Sequence, residues 1–179
     1  MELHCGKCKV RSWHPGDVES LVKHANNQKV WITLRDRFPH PYTRTDAQNW
    51  IQGSLTETPE TNFAIDLFEK AVGGISFQLK TDVERYSAEV GYWLGEEFWG
   101  QGICTSALKG ATKFAFETYP LNRIFAVPFS ENLASRRVLE KAGYHKEGMM
   151  RLSAFKDGRF VDEVLYAFVI ENWTPSDRK

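Results

Sequence analysis

The stretch Gly91-Tyr92-Trp93-Leu94-Gly95-Glu96-Glu97-Phe98-Trp99-Gly100-Gln101-Gly102-Ile103-Cys104-Thr105 passes from an apolar run through a glycine-bearing loop into a helical pattern. Strand, loop and helix in that order aim several backbone N–H groups and the positive end of a helix at one spot, which suits a phosphate or pyrophosphate. Gly100 and Gly102 let the backbone approach an anion where a Cβ would intervene. Thr105 and Ser106 add hydroxyl donors. A glycine-bearing turn before a helix is often only a turn, so its surroundings have to decide.

Upstream, residues 63–68, 72–79 and 88–94 are strand-like runs broken by short charged stretches, and they read as three neighbouring antiparallel strands. Before them, residues 9–13 read as a strand. Residues 15–25 read as a helix, with Val18, Leu21, Val22 and Ala25 on one face after a proline suited to a first turn. Phe38-Pro39-His40-Pro41-Tyr42 cannot run as a helix, because each proline pushes its predecessor toward extended geometry. Thr45-Asp46-Ala47-Gln48 has the form of a capping box opening a second helix with Trp50, Ile51 and Leu55.

Downstream, a helix is expected over residues 105–118, with Ala107, Leu108, Ala111, Phe114 and Ala115 facing the sheet. A strand follows at 123–127, and a helix at 133–142 capped by Asn132 and stopped at Gly143. The turn Lys156-Asp157-Gly158-Arg159 leads into a last strand at 160–170. The sequence predicts one domain over residues 1–179 of α+β class, a mixed and mostly antiparallel sheet flanked by helices.

The 23 basic and 23 acidic side chains cancel, so no global field favours nucleic acid or an acidic membrane. No run approaches the roughly 20 apolar residues of a membrane span, and the first residues lack a secretory pattern. A cytoplasmic protein with reduced thiols is expected. Cys5 and Cys8 form a C-x-x-C without a second pair of ligands, which reads as incidental thiols near a flexible terminus, with a metal or redox feature that makes the N-terminus regulatory as the alternative. No metal is expected. No Lys-Ser or Lys-Thr pair completes a P-loop, and the hairpin-like strands do not suit a dinucleotide fold.

The second chemical element is Asn132 to Tyr144, a capped helix after a strand that ends at Pro128, where sheet pairing must loosen for want of an N–H. With both elements in view, the chain resembles the GNAT superfamily of N-acetyltransferases, and within it the RimJ/RimL type that acetylates ribosomal-protein N-termini. The likeness rests on Ala88 to Leu94 leading into Trp99 to Thr105, on Asn132 to Tyr144, and on Glu147-Gly148 with the later Lys156-Asp157-Gly158 and Asp162.

The resemblance implies acetyl-CoA as cosubstrate and two central strands that splay to admit its pantetheine arm. It further implies that the loop Trp99, Gly100, Gln101, Gly102, Ile103, Cys104 and Thr105 holds the pyrophosphate, chiefly through main-chain amides. Tyr92, Trp93 and Leu94 would offer main-chain groups to the arm, Asn132 would hydrogen-bond it, and Ser135 would sit near the thiol end. Trp99 and Cys104 depart from the family's usual loop residues, and Leu139 stands where many members have a tyrosine acid. Ser135 or water then protonates the departing thiolate, which leaves readily because a thiol's pKa is about 8.5.

Glu89 is the candidate base, acting through water, with pairing to a neighbouring cation as its structural alternative. His40 and Tyr42 are candidates to line the amine pocket, with aromatic packing of their loop as the alternative. The expected acceptor is a protein N-terminal α-amine. A polyamine or antibiotic amine, or a degenerate CoA-binding module, are the competing readings. An exposed strand edge near the C-terminus is a place where two copies would pair.

Overall fold

The structure, a computed structural model, describes residues 1–171. Its centre is an eight-stranded sheet of order β1-β2-β3-β4-β5-β6-β8-β7. The strands are β1 (Glu2–His4), β2 (Lys9–Ser12), β3 (Asn62–Leu67), β4 (Lys70–Leu79), β5 (Ser87–Leu94), β6 (Arg123–Ala126), β7 (His145–Lys156) and β8 (Arg159–Val169). Every neighbouring pair is antiparallel except β5 and β6. The helices are α1 (Val18–Ala25), α2 (Gln28–Trp31), α3 (Arg44–Thr56), α4 (Ile103–Thr118) and α5 (Leu133–Ala142).

The parallel pair sets up the site. β5 and β6 pair only over Ser87↔Arg123, Ala88↔Ile124 and Glu89↔Phe125, so β5 continues through Leu94 with no partner on that side. The main chain beyond β6 turns to β8 instead, where Val164 N–H donates to Pro128 O at 3.0 Å. A V-shaped opening results, as the unpaired Pro128 led one to expect.

Side-chain parity then sorts the two faces. Val90, Leu94, Ile124, Val164 and Tyr166 belong to the core under α4 and α5, with Tyr92 packed against it. Trp93 points the other way and joins Trp13, Leu21, Tyr42 and Ile51 in a second cluster with α1 and α3. Glycines make room for that ring: a Cβ at Gly74 would stand 2.9 Å from Trp93 Nε1. Beneath α1, the buried Arg11 binds both carboxylate oxygens of Asp17 at 2.8 Å and reaches Asp66 through Nε at 2.8 Å. This ties the entrance of α1 to β2 and β3.

Several expectations are corrected. The capping box of α3 is Thr43 with Asp46, two residues upstream of the Thr45–Gln48 reading, because Thr43 is the last residue in extended geometry. α4 starts at Ile103 rather than 105, since left-handed Gly102 already turns the chain into the helix. β1 and the short α2 escaped prediction, each being too short to show a period. The C-x-x-C lies in an ordered hairpin turn, with Cys8 buried. The sheet ends on the short β1 at one side and on β7, the strand before last, at the other. β7 leaves Met149, Leu152 and Phe155 largely exposed.

Candidate functional site

The candidate cofactor loop follows from β5 through a short 3-10 turn, Glu96–Phe98. Trp99 Nε1 donates to Leu94 O at 2.8 Å and so ties the loop back to the strand. Gln101 Nε2 donates to Glu97 O at 3.1 Å. Gly100 and Gly102 both take positive φ, +75° and +77°, a conformation that costs an L-residue about 1–2 kcal/mol.

Three helices start on a side-chain cap: Asn27 accepts from Lys29 N, Thr43 from Asp46 N, and Asn132 from Ser135 N. No side chain caps the first turn of the 16-residue α4, nor that of the shorter α1. Gln101 and Gly102 just ahead of α4 are exposed, and Gly102 has no Cβ. Uncapped N–H groups at the positive end of a long helix fit a pyrophosphate. Cys104 lies in the first turn, and burial pushes its thiol up to about 12, so it stays neutral.

A residue the sequence reading passed over also reaches this loop. Lys7, at the tip of the β1–β2 hairpin, donates from Nζ to Gln101 O at 2.7 Å. Only the fold shows this, because 94 positions separate the two residues.

On the same face, α5 presents Asn132 and Ser135 to the opening. Tyr92 OH lies 2.9 Å from Ser135 Oγ and 3.1 Å from Ser135 O. Burial raises the Tyr92 phenol, partly offset by the Ser135 hydrogen bond, so it remains a proton donor at neutral pH. Leu139 is fully buried in the core. The hydroxyl pair Tyr92–Ser135 is thus the proton-bearing group beside the opening on this face.

The opposite face carries Glu89, Trp93 and Phe125, and by register on β8 also Glu163. Glu89 Oε2 accepts from Lys80 Nζ at 3.1 Å, near the closed end of the V; its structural alternative is therefore realised. Glu163 is buried near the open end, where Ser153 Oγ donates to its Oε2 at 2.8 Å and Arg35 forms an ion pair with its Oε1. Arg35 also donates to Val127 O at 3.3 Å and covers the Phe129 ring. The sequence carried no local sign of this pair.

The aromatic loop closes that face. Phe38 packs edge-on to Trp93 with centroids 5.5 Å apart, and exposed His40 stacks on Trp31 at 5.6 Å. Tyr42 is removed from the candidate pocket: its ring is buried against Phe38, and burial raises its phenol. Lys156 reaches across from the β7–β8 turn to Asp36 at 2.8 Å and lies over Trp31.

The uncapped start of α4 and the Tyr92–Ser135 hydroxyl pair thus lie on one face of the sheet, and Glu89, Glu163, Trp93 and Phe125 on the other. Among the described residues no cluster of His, Cys, Asp and Glu could hold a metal ion, and no helix is long and apolar enough to cross a membrane.

Comparison with known proteins agrees with this geometry. The [Ribosomal protein uS5]-alanine N-acetyltransferase of Escherichia coli (strain K12) is 31% identical over 187 residues, covering 98% of this chain and 94% of that protein. Matches to several Bacillus relatives span only about half of their length: the N-acetyltransferase YoaA of Bacillus subtilis (strain 168) is 33% identical over 101 residues, 56% of each chain. Among solved structures, RimL, the ribosomal L7/L12 alpha-N-protein acetyltransferase in complex with coenzyme A, superposes with a TM-score of 0.83. That alignment has 22% identity and covers 96% of this chain and 99% of RimL, so it speaks to the fold. A family model described as "Acetyltransferase (GNAT) domain" matches residues 8–145, and the chain belongs to the GNAT acetyltransferase family.

Proposed function

We propose that this protein transfers the acetyl group of acetyl-CoA to the α-amine of a protein N-terminus. The observation that carries the acceptor is the end-to-end match to an enzyme named for acetylating the alanine of a ribosomal protein. Chemistry supports it. Only a neutral amine attacks a thioester. An α-amine of pKa about 8 is roughly a tenth neutral at pH 7, whereas a lysine near 10.4 is neutral about once in a few thousand molecules. Both cleft carboxylates are engaged by cations, so an acceptor that asks little of a base suits the site.

When bound, acetyl-CoA supplies the activated carbonyl. The uncapped amides of residues 101–105 would hold its phosphates, and Asn132 and the main chain of Tyr92, Trp93 and Leu94 its arm. Glu89 takes the amine proton through water. Ser135, backed by Tyr92, delivers a proton to the leaving sulfur. Arg35 is the half-exposed donor available to a peptide carbonyl behind the attacking amine, with His40 and Trp31 at the rim. Such an enzyme works in the cytoplasm, and its exposed β7 edge is the surface through which two copies would pair.

The test is thiol release from acetyl-CoA with peptides bearing free N-termini, N-blocked lysine peptides and polyamines, with product masses read in parallel. Acetylation confined to free α-amines is expected. Turnover only with polyamines or lysine would refute the acceptor, and coenzyme A binding without turnover on any amine would leave a binding module.

A further inference from the structure

Cys5 and Cys8 are the one sequence motif that acetyl transfer does not use. The hairpin register Leu3↔Val10 and His4↔Lys9 continues to Cys5 opposite Cys8, and Cys5 N–H donates to Cys8 O at 2.9 Å. Directly opposed residues of an antiparallel pair lie about 4.5–5.5 Å apart at Cα, inside the roughly 4.4–6.8 Å range that a disulfide spans. Opposed residues also point to the same face. Here that face meets α4: Cys5 Sγ packs against Gly110, where a Cβ would come within 2.3 Å, and Cys8 Sγ points at Ile103 O, 3.9 Å away. The two-residue tip between them, Gly6-Lys7, carries the ammonium that holds Gln101 O.

We propose that Cys5 and Cys8 form a reversible disulfide site that lowers coenzyme A affinity when oxidised. The environments divide the labour. The Cys8 thiol beside it lowers Cys5, which is partly exposed, while the same contact and burial raise Cys8. A lowered, partly exposed first cysteine beside a buried second one matches an attacking and a resolving thiol. A small-molecule disulfide is the oxidant. The Cys5 thiolate attacks one of its sulfurs and expels a thiolate, leaving a mixed disulfide. Cys8 gives up its proton and attacks the Cys5 sulfur, expelling the second thiolate. Two protein thiols are oxidised to one disulfide, and one disulfide is reduced to two thiols.

The consequence reaches the cofactor loop because closing the S–S bond removes the Cys8 S–H from Ile103 O. It also redirects the tip that carries Lys7. Loss of the Lys7 contact, worth one ordinary hydrogen bond, corresponds to about a two- to tenfold weaker coenzyme A Kd. The coupling rests on the pyrophosphate lying at residues 101–105, whereas the disulfide itself does not.

Full-length protein is equilibrated in buffers of reduced and oxidised glutathione, its free thiols are counted by mass after alkylation, and coenzyme A binding is titrated in each state. The three free cysteines should fall to one, the Cys5–Cys8 peptide should carry the disulfide, and Kd should weaken reversibly. Cys5→Ser should show neither change. Three persistent thiols, or a glutathione adduct that Cys8 never resolves, would overturn the site. A disulfide with unchanged Kd would overturn the coupling, provided Gly102→Ala has shown separately that the loop binds the cofactor.

Discussion

Replacing Gly102 with alanine separates strain from ligand binding. The backbone stands at φ +77°, so any Cβ costs about 1–2 kcal/mol of left-handed strain. Its neighbour would be Lys7 Nζ at 3.3 Å, the far end of a flexible side chain that moves cheaply. The folded state therefore survives, with a Tm lower by about 2–8 °C for a domain of this size. Binding should suffer more. The methyl group stands in front of the uncapped amides of α4, and each N–H bond lost to a charged phosphate is worth about 1.5–3 kcal/mol. Losing one weakens coenzyme A by about 10- to 100-fold. Gly158→Ala is the matched control, with φ +76° and open space around it in the distal hairpin. Calorimetric titration of both variants beside thermal melts decides the matter. A folded Gly102→Ala that binds within twofold of the parent would refute the cradle, while Gly102→Trp should abolish binding altogether.

Three further outcomes are expected. Ser135→Ala should lower kcat by about tenfold with little change in KM, less than the hundredfold typical of a general acid, because a thiol near pKa 8.5 leaves readily; Tyr92→Phe should fall between it and the parent in steady-state assays. Arg11→Met strands two buried carboxylates and should cost about 3–5 kcal/mol in urea titrations, whereas an exposed pair such as Lys113–Glu117 should cost less than about 1. Burial, aided by the charge of Lys23 and opposed by Glu97, holds His24 below its ordinary value of 6.5, so the unfolded chain binds that proton first. Stability should fall as pH drops below about 6.5, above the range where carboxylates titrate, and His24→Gln should flatten that part of the urea-midpoint profile.

The site was legible where local chemistry announces itself. Gly102 ahead of an apolar helix, Asn132 ahead of Leu133 and Gly143 after Ala142 are positions whose residue types follow from backbone geometry: Gly102 and Gly143 are left-handed and Asn132 caps α5. Alternation exposed the strands from Asn62 to Leu94 in the same way. What stayed hidden depends on pairing across the chain. Nothing near Lys7 in sequence hints at Gln101, and nothing near Arg35 hints at Glu163. Tyr42 misled because an aromatic in a proline-rich loop looks available until α1 and α3 cover it. The α3 cap slipped by two residues because Thr43 and Thr45 offer the same hydroxyl, and only the backbone turn distinguishes them.

With acetyl-CoA seated on the open end of α4, as proposed, folding and nutrition would become one equilibrium. A ligand that completes those amides binds the native chain and not the unfolded one, so mass action adds about 2.7 kcal/mol at a hundred times Kd. A rich supply of acetyl donor would then raise the melting temperature of the enzyme that spends it, and scarcity would leave more of the chain open to proteolysis. Abundance of the protein becomes a slow gauge of its own cosubstrate.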